Sequence, residues 1–202
     1  MMQTGNEEQQ QTKKPKARHS IGAKKNPQTE IAILEATAQI IKEKGISGLK
    51  MEAVARKAKA GKATLYRWWP TRGALLLALY QRKKPQLNYA DTGSLHEDLL
   101  HFTHDLIAIW KGENGLFFKA IIAESQSDPD VAEQLKRYHA ERLEALSALF
   151  SRAQTRGEIP QHENPAIRAE MLMNLLWQRL LNNGLEEDID EHILVLANSD
   201  RK

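Results

Sequence analysis

Lys50–Trp69 reads KMEAVARKAKAGKATLYRWW, and its pattern sets the fold class. Met51, Val54, Ala55 and Ala58 share one face of a helix, which predicts a short helical stretch over residues 51–58. Lys59-Ala60-Gly61 separates it from a second short stretch, Lys62–Trp68. Helices this short are marginal alone in water, so a further element must hold them. Upstream, Ile31, Leu34, Ala38 and Ile41 recur at spacings of three and four. That stripe predicts a helix that starts at Asn26-Pro27, where Asn caps and Pro suits the first turn, and ends at Lys44-Gly45. Downstream, Pro70-Thr71 breaks the pattern, and Arg72–Lys84 forms another helix with Leu75, Leu76, Leu79 and Tyr80 inward. The expectation is a compact three-helix unit backed by a fourth helix.

Beyond Ser94, helical patterns recur over about 95–111, 115–125, 129–156, 165–183 and 187–197, with no competing strand pattern. Breaks fall at Gly112 to Gly115, Ser127-Asp128-Pro129, Gly157 to Pro165 and Asn182 to Gly184. The fold class is therefore all-α. Residues 1–26 form a Gln- and Lys-rich tail with too little apolar surface to offset its ordering entropy. Residues 27–87 form a small helical domain carrying the 50–69 helix pair, and residues 88–202 form a larger helical domain.

The net charge of +3 hides a polar distribution of charge along the chain. Residues 1–25 carry +4, residues 26–87 carry +8 and residues 88–202 carry −9. A basic front and an acidic back suggest that only the front meets a polyanion, with a plain solvated basic surface as the competing reading. The chain has no cysteine, which excludes disulfides, thiolate metal sites and a thiol nucleophile. No apolar run approaches the ~18 residues of a membrane helix, and the amino terminus lacks a signal-peptide core, so the expected location is cytoplasmic.

Two short helices on a longer one can set the second helix in the major groove while the first braces it on the backbone. The second stretch carries Lys62, Thr64, Tyr66 and Arg67, all hydrogen-bond donors, more than a purely structural helix needs. Ala53–Leu76, AVARKAKAGKATLYRWWPTRGALL, strongly resembles the signature of the TetR family, the tetracycline-repressor-like regulators, and Thr64–Pro70 is its most specific part. Ile40–Gly45 and Leu49–Glu52 also resemble the family's helix-one end and helix-two start, and the resemblance covers about residues 27–87. It implies that Lys62, Ala63 and Thr64 touch base edges and nearby phosphates, that Tyr66 gives its hydroxyl to a phosphate, and that Arg72 holds the backbone. Trp68 matches a position that approaches the DNA, and Trp69 belongs to the core. Lys50 and Met51 replace small hydroxyl residues, which exchanges short contacts for one longer cationic reach. Lys59 stands where the family has its turn glycine, with Gly61 nearby to absorb strain.

For the larger domain, Ile167, Met171, Leu172, Leu175, Leu176, Leu180 and Leu181 spread wider than one core-facing stripe, and Ile189, Ile193, Leu194 and Leu196 follow. A helix apolar on much of its circumference is covered on more than one side, either within the monomer or by a second copy. The family resemblance implies the second: a homodimer through the last two helices, bound to a palindromic double-stranded operator. It also implies a repressor released by a small-molecule effector, for which Trp110, Phe117, Phe118, Glu124, Tyr138 and Trp177 are the candidate pocket residues, with Met171, Met173 and Gln178 beside them. Aromatics at helical spacing serve a plain core equally well. His101, His104 and Asp105, near His96, have a spacing compatible with a metal but read more simply as polar surface, so no metal or cofactor is expected. No phosphate loop, nucleophile elbow or paired carboxylates support a helical enzyme. The other competitor is a sequence-tolerant architectural DNA binder, and the basic tail fits either a groove-tracking arm or a solubilising extension.

Overall fold

The computed structural model describes residues 26–83 and 86–198; all of the tail before Asn26 lies outside the described residues. Among these residues every regular element is helical: α1 Pro27–Lys44, α2 Met51–Lys57, α3 Lys62–Trp68, α4 Arg72–Lys83, α5 Leu95–Lys111, α6 Glu113–Ser125, α7 Pro129–Arg156, α8 Pro165–Leu181 and α9 Asp190–Ala197, with a 3₁₀ turn at Ile46–Gly48. Local chemistry sets many of the boundaries. Asn26, Ser94, Asp128 and Asn164 each accept a first-turn amide with their side chains, and proline opens α1, α7 and α8. At the other end of α7, Gly157 takes a left-handed cap.

α1 packs against α2, the 3₁₀ turn and α4. That three-sided contact explains why its buried set is wider than the Ile31 stripe: Ile33, Ala36, Thr37 and Ile40 are buried as well, while Ile31 is only half-buried. Buried Thr37 is satisfied by donating its hydroxyl to the Ile33 carbonyl. α4 is the shared wall, packing on α1 from one side and on α6 and α7 from the other. α5 to α8 form the larger bundle, with α7 and α8 its most extensive pair, and α9 lies on α5.

The turn between α2 and α3 differs from the expectation. Gly61 has an ordinary φ of −67° and caps α3, so it absorbs no strain. Lys59 itself takes the left-handed conformation, φ +51°. The Ala60 amide donates to the Ala55 carbonyl at 2.9 Å and the Lys59 amide to the Arg56 carbonyl at 3.2 Å, a double closure that needs a positive φ at position 59. The turn stays tight although its residue has a Cβ. A left-handed non-glycine residue costs roughly 1–2 kcal/mol, and glycine's greater unfolded-state freedom returns roughly half of that. Lys59→Gly is therefore expected to raise folding stability by about 0.5–1 kcal/mol in urea denaturation; an unchanged or lower midpoint would contradict this account of the turn.

The last two helices also start and stop differently from the sequence reading. α8 ends at Leu181 and α9 begins at Asp190. Buried Arg179 donates to the carbonyls of Glu187 and Asp188, at 2.7 and 2.8 Å, and this grip keeps the connecting chain non-helical up to the new helix.

Candidate nucleic-acid interface

Leu65 and Trp69 are buried and seat α3 on the core, and Trp68 meets the Trp69 ring edge-on at 5.8 Å. With that face anchored, Lys62, Ala63, Tyr66 and Arg67 are left exposed, and Thr64 and Trp68 are half-buried at the margin. Lys50, just before α2, is exposed on the same helix pair. Met51 is buried, so the replacement of a small hydroxyl residue there fills the core instead of the surface.

Glu52 is a residue that the sequence reading did not single out. The Tyr66 hydroxyl donates to its carboxylate at 3.0 Å, bridging α3 to α2. Glu52's own backbone amide and then this hydroxyl hold its carboxyl below the usual range, and the same bond raises the Tyr66 phenol above its own. At neutral pH the pair is thus a carboxylate and a protonated phenol, with the phenol's proton directed at Glu52.

Arg72 sits at the first turn of α4 and is paired with Glu124 at the end of α6. Next to it, the Thr71 hydroxyl accepts the Ala74 amide, capping α4. The same hydroxyl, ahead of the Val131 and Asp130 amides, holds the Asp128 carboxyl below its usual value, so the cap of α4 and the cap of α7 meet. Gly73 completes the junction: a Cβ there would stand 2.3 Å from Val131 Cγ2, so α4 approaches α7 closer than any other residue permits. At the far end of α4, Lys83 pairs with Glu113 at 2.9 Å.

In the larger domain, four of the candidate effector residues come together. The Phe118 ring is the hub, with Trp110, Tyr138 and Trp177 each 5.5 Å from it and Tyr80 at 5.1 Å. Two others do not join them. Glu124 is at the α4 junction with Arg72, and Phe117, next to Phe118 but turned around the helix, lies beneath the Lys83 ammonium at 5.5 Å. Of the neighbouring candidates, Met171 and Gln178 are exposed and Met173 is buried. The cluster adds groups that were not predicted for it: Tyr80, whose hydroxyl bonds that of Tyr138 at 3.1 Å, and His139, whose ring is 4.8 Å from Trp177. Burial first, then the Tyr138 hydroxyl, push the Tyr80 phenol far above its ordinary range, and burial lowers His139, so both are neutral near pH 7. His104 bonds Asp190 at 2.8 Å and thereby ties α5 to α9.

Comparison with known proteins agrees with this layout. The family profile described as "Bacterial regulatory proteins, tetR family" matches residues 33–79, and that described as "Tetracyclin repressor-like, C-terminal domain" matches residues 89–195. The chain belongs to the TetR family of transcriptional regulators. Among relatives of this TetR-family regulator, the uncharacterised HTH-type transcriptional regulator YdeS of Bacillus subtilis is 26% identical over 82% of this chain and 84% of its own. The HTH-type transcriptional regulator AqdR of Rhodococcus erythropolis is 32% identical over 63% of this chain and 62% of its own. Among solved structures, the TetR family transcription regulator SCO0332 superposes with a TM-score of 0.62 at 26% identity, over 84% of this chain and 94% of its own. The TetR-family chain is thus a helix-turn-helix DNA-binding transcriptional regulator.

Regulators of the family bind DNA as dimers. In this one, α8 and α9 leave Ile167, Met171, Leu194 and Val195 exposed, with Leu175 and Leu196 half-buried between them. Val195 is 70% exposed, an unusual position for a β-branched aliphatic side chain in a helix. No helix among the described residues is long and apolar enough to cross a membrane.

Proposed function

We propose that this regulator is a homodimeric repressor that binds a palindromic operator through two copies of α3 and is released when a small molecule binds the aromatic cluster of the larger domain. The observation that carries this reading is the division of the surface. Exposed donors line α3, an exposed apolar strip runs along α8 and α9, and the aromatic cluster lies among the helices on which α4 rests. Lys62, Ala63 and Thr64 then choose the sequence, Tyr66 and Arg72 fix the backbone, and Lys50, Arg67 and Trp68 extend the contact. Arg72 serves the backbone only when it is released from Glu124, and the Tyr66 hydroxyl only when it turns from Glu52, so these two intramolecular contacts also set DNA affinity. A cytoplasmic location and a boundary between the domains near residues 87 and 88 accompany this reading.

The test starts with genome-wide footprinting by the purified full chain at fixed salt. A regulator selects one palindrome by orders of magnitude, whereas an architectural binder spreads over many sites with strong salt sensitivity. On the selected site, Tyr66→Phe and Arg72→Ala are expected to weaken binding to every sequence by about tenfold each, since each removes a phosphate contact. Lys62→Ala and Thr64→Ala are expected to change which sequence is preferred. Unchanged affinity and preference in all four variants would refute the site assignment.

A further inference from the structure

Arg142 lies one helical turn beyond Tyr138 on α7, and its guanidinium stands over the Tyr138 ring, 5.1 Å from the centroid. Its hydrogen bond goes to the Tyr89 hydroxyl at 3.2 Å. The other arginines of the same helix each have a carboxylate: Arg137 has Glu133, Arg152 has Asp91, and Arg156 has Asp91, Asp98 and Glu158. Half-buried Arg142 meets only phenols among the described residues. A guanidinium cannot shed its charge, and phenols leave that charge uncompensated.

The rings beyond it hold a second unmet demand. Trp177 Nε1 and His139 Nε2 are buried without a hydrogen-bond partner. Both belong to the nest that continues from Tyr138 through Phe118 to Trp177. A buried polar atom left unmade is costly, and native structures rarely keep two such atoms side by side without a use for them. Tyr138, His139 and Trp177 are half-buried, so this end of the nest reaches the surface along α7 and α8.

We infer that the effector is an aromatic carboxylic acid, its carboxylate paired with Arg142 and its ring laid against Tyr138 and Trp177, the half-buried rings of the nest, where the Trp177 and His139 nitrogens meet a further polar group. This rests on the reading of the larger domain as effector-binding. The carboxylate supplies the bidentate partner that the guanidinium lacks, a ligand cation would be repelled by Arg142, and the flat ring matches the aromatic faces better than an aliphatic chain does.

The experiment titrates four probes into the full-length dimer by calorimetry: 2-naphthoate, 2-naphthamide, 2-naphthylmethylammonium and decanoate. Naphthoate is expected to bind at least about tenfold more tightly than the other three. Arg142→Gln is expected to erase that preference by weakening naphthoate about tenfold or more while naphthamide stays within about twofold, which also reports that the variant is folded. Equal binding of the amide or the ammonium, tighter binding of decanoate, or a preference that survives Arg142→Gln overturns the aromatic-acid assignment and leaves the effector reading standing. Absence of binding by all four overturns both.

Discussion

Val195→Asp should convert the regulator to monomers and lower its affinity for the operator by at least about 100-fold. Val195 lies in the exposed strip with Ile167, Met171 and Leu194, and Leu175 and Leu196 pack beneath it. Covering an aliphatic side chain of this size contributes about 1.5–3 kcal/mol, and a two-fold interface counts each one twice. An aspartate there is also present twice, and closing the interface would bury both carboxylates without partners. On the proposed palindrome each monomer would keep its reading helix but lose the second half-site, and with it half of the phosphate contacts that dominate affinity. Sedimentation measures the mass and gel shift the operator affinity. A variant that stays dimeric at micromolar concentration would move the interface elsewhere on the molecule.

Asp98→Ala is expected to cost about 3 kcal/mol of folding stability. Asp98 is fully buried at the start of α5. One carboxylate oxygen accepts the Thr92 amide at 2.7 Å and the Thr92 hydroxyl at 2.8 Å, and the other stands 3.7 Å from Arg156 Nη2. Hydrogen bonds to a charged group contribute roughly 1.5–3 kcal/mol each, and removing one partner of a buried pair exposes the other's desolvation cost. Arg156 retains Asp91 and Glu158, which keeps the loss near the lower end of the summed range. The segment that joins the two domains is held through this carboxylate, so the same variant should increase protease cleavage between residues 86 and 94. An unfolding free energy in urea denaturation within about 1 kcal/mol of the parent would show that Thr92 finds another partner.

Much of this architecture is written locally. Asn26, Ser94, Asp128 and Asn164 announce helix starts because a short side chain can reach its own first-turn amides, and this needs no distant partner. The exposed face of α3 follows from the same logic once Leu65 and Trp69 are assigned inward. What periodicity cannot supply is the identity of a partner far along the chain. Arg72 and Glu124 are 52 residues apart, and the sequence places one at the DNA and the other in the effector cluster, whereas the fold pairs them at the junction. Tyr66 and Glu52, 14 residues apart on different helices, are joined only by the fold for the same reason. Arg142 was closer to legible, since its spacing of four from Tyr138 puts both on one face of α7. Lys59 shows the opposite limit, because a residue that violates the local preference is held by hydrogen bonds that only the completed turn provides.

The two ion pairs of α4 have a mechanical consequence. Arg72 is pinned to the last turn of α6 and Lys83 to its first residue, so the two helices lie antiparallel and fastened at both ends. Sliding one along the other would break both fasteners together, but tilting needs only one end to yield. At 1.5 Å of rise per residue, the 12 residues of α4 make a bar about 18 Å long, so a displacement of 1 Å at one end with the other fixed tilts it by roughly 3°. In the proposed release, movement of α6 would reach the DNA-facing helices as rotation about a pivot, and the fastener that gives way first would set the direction in which α3 swings.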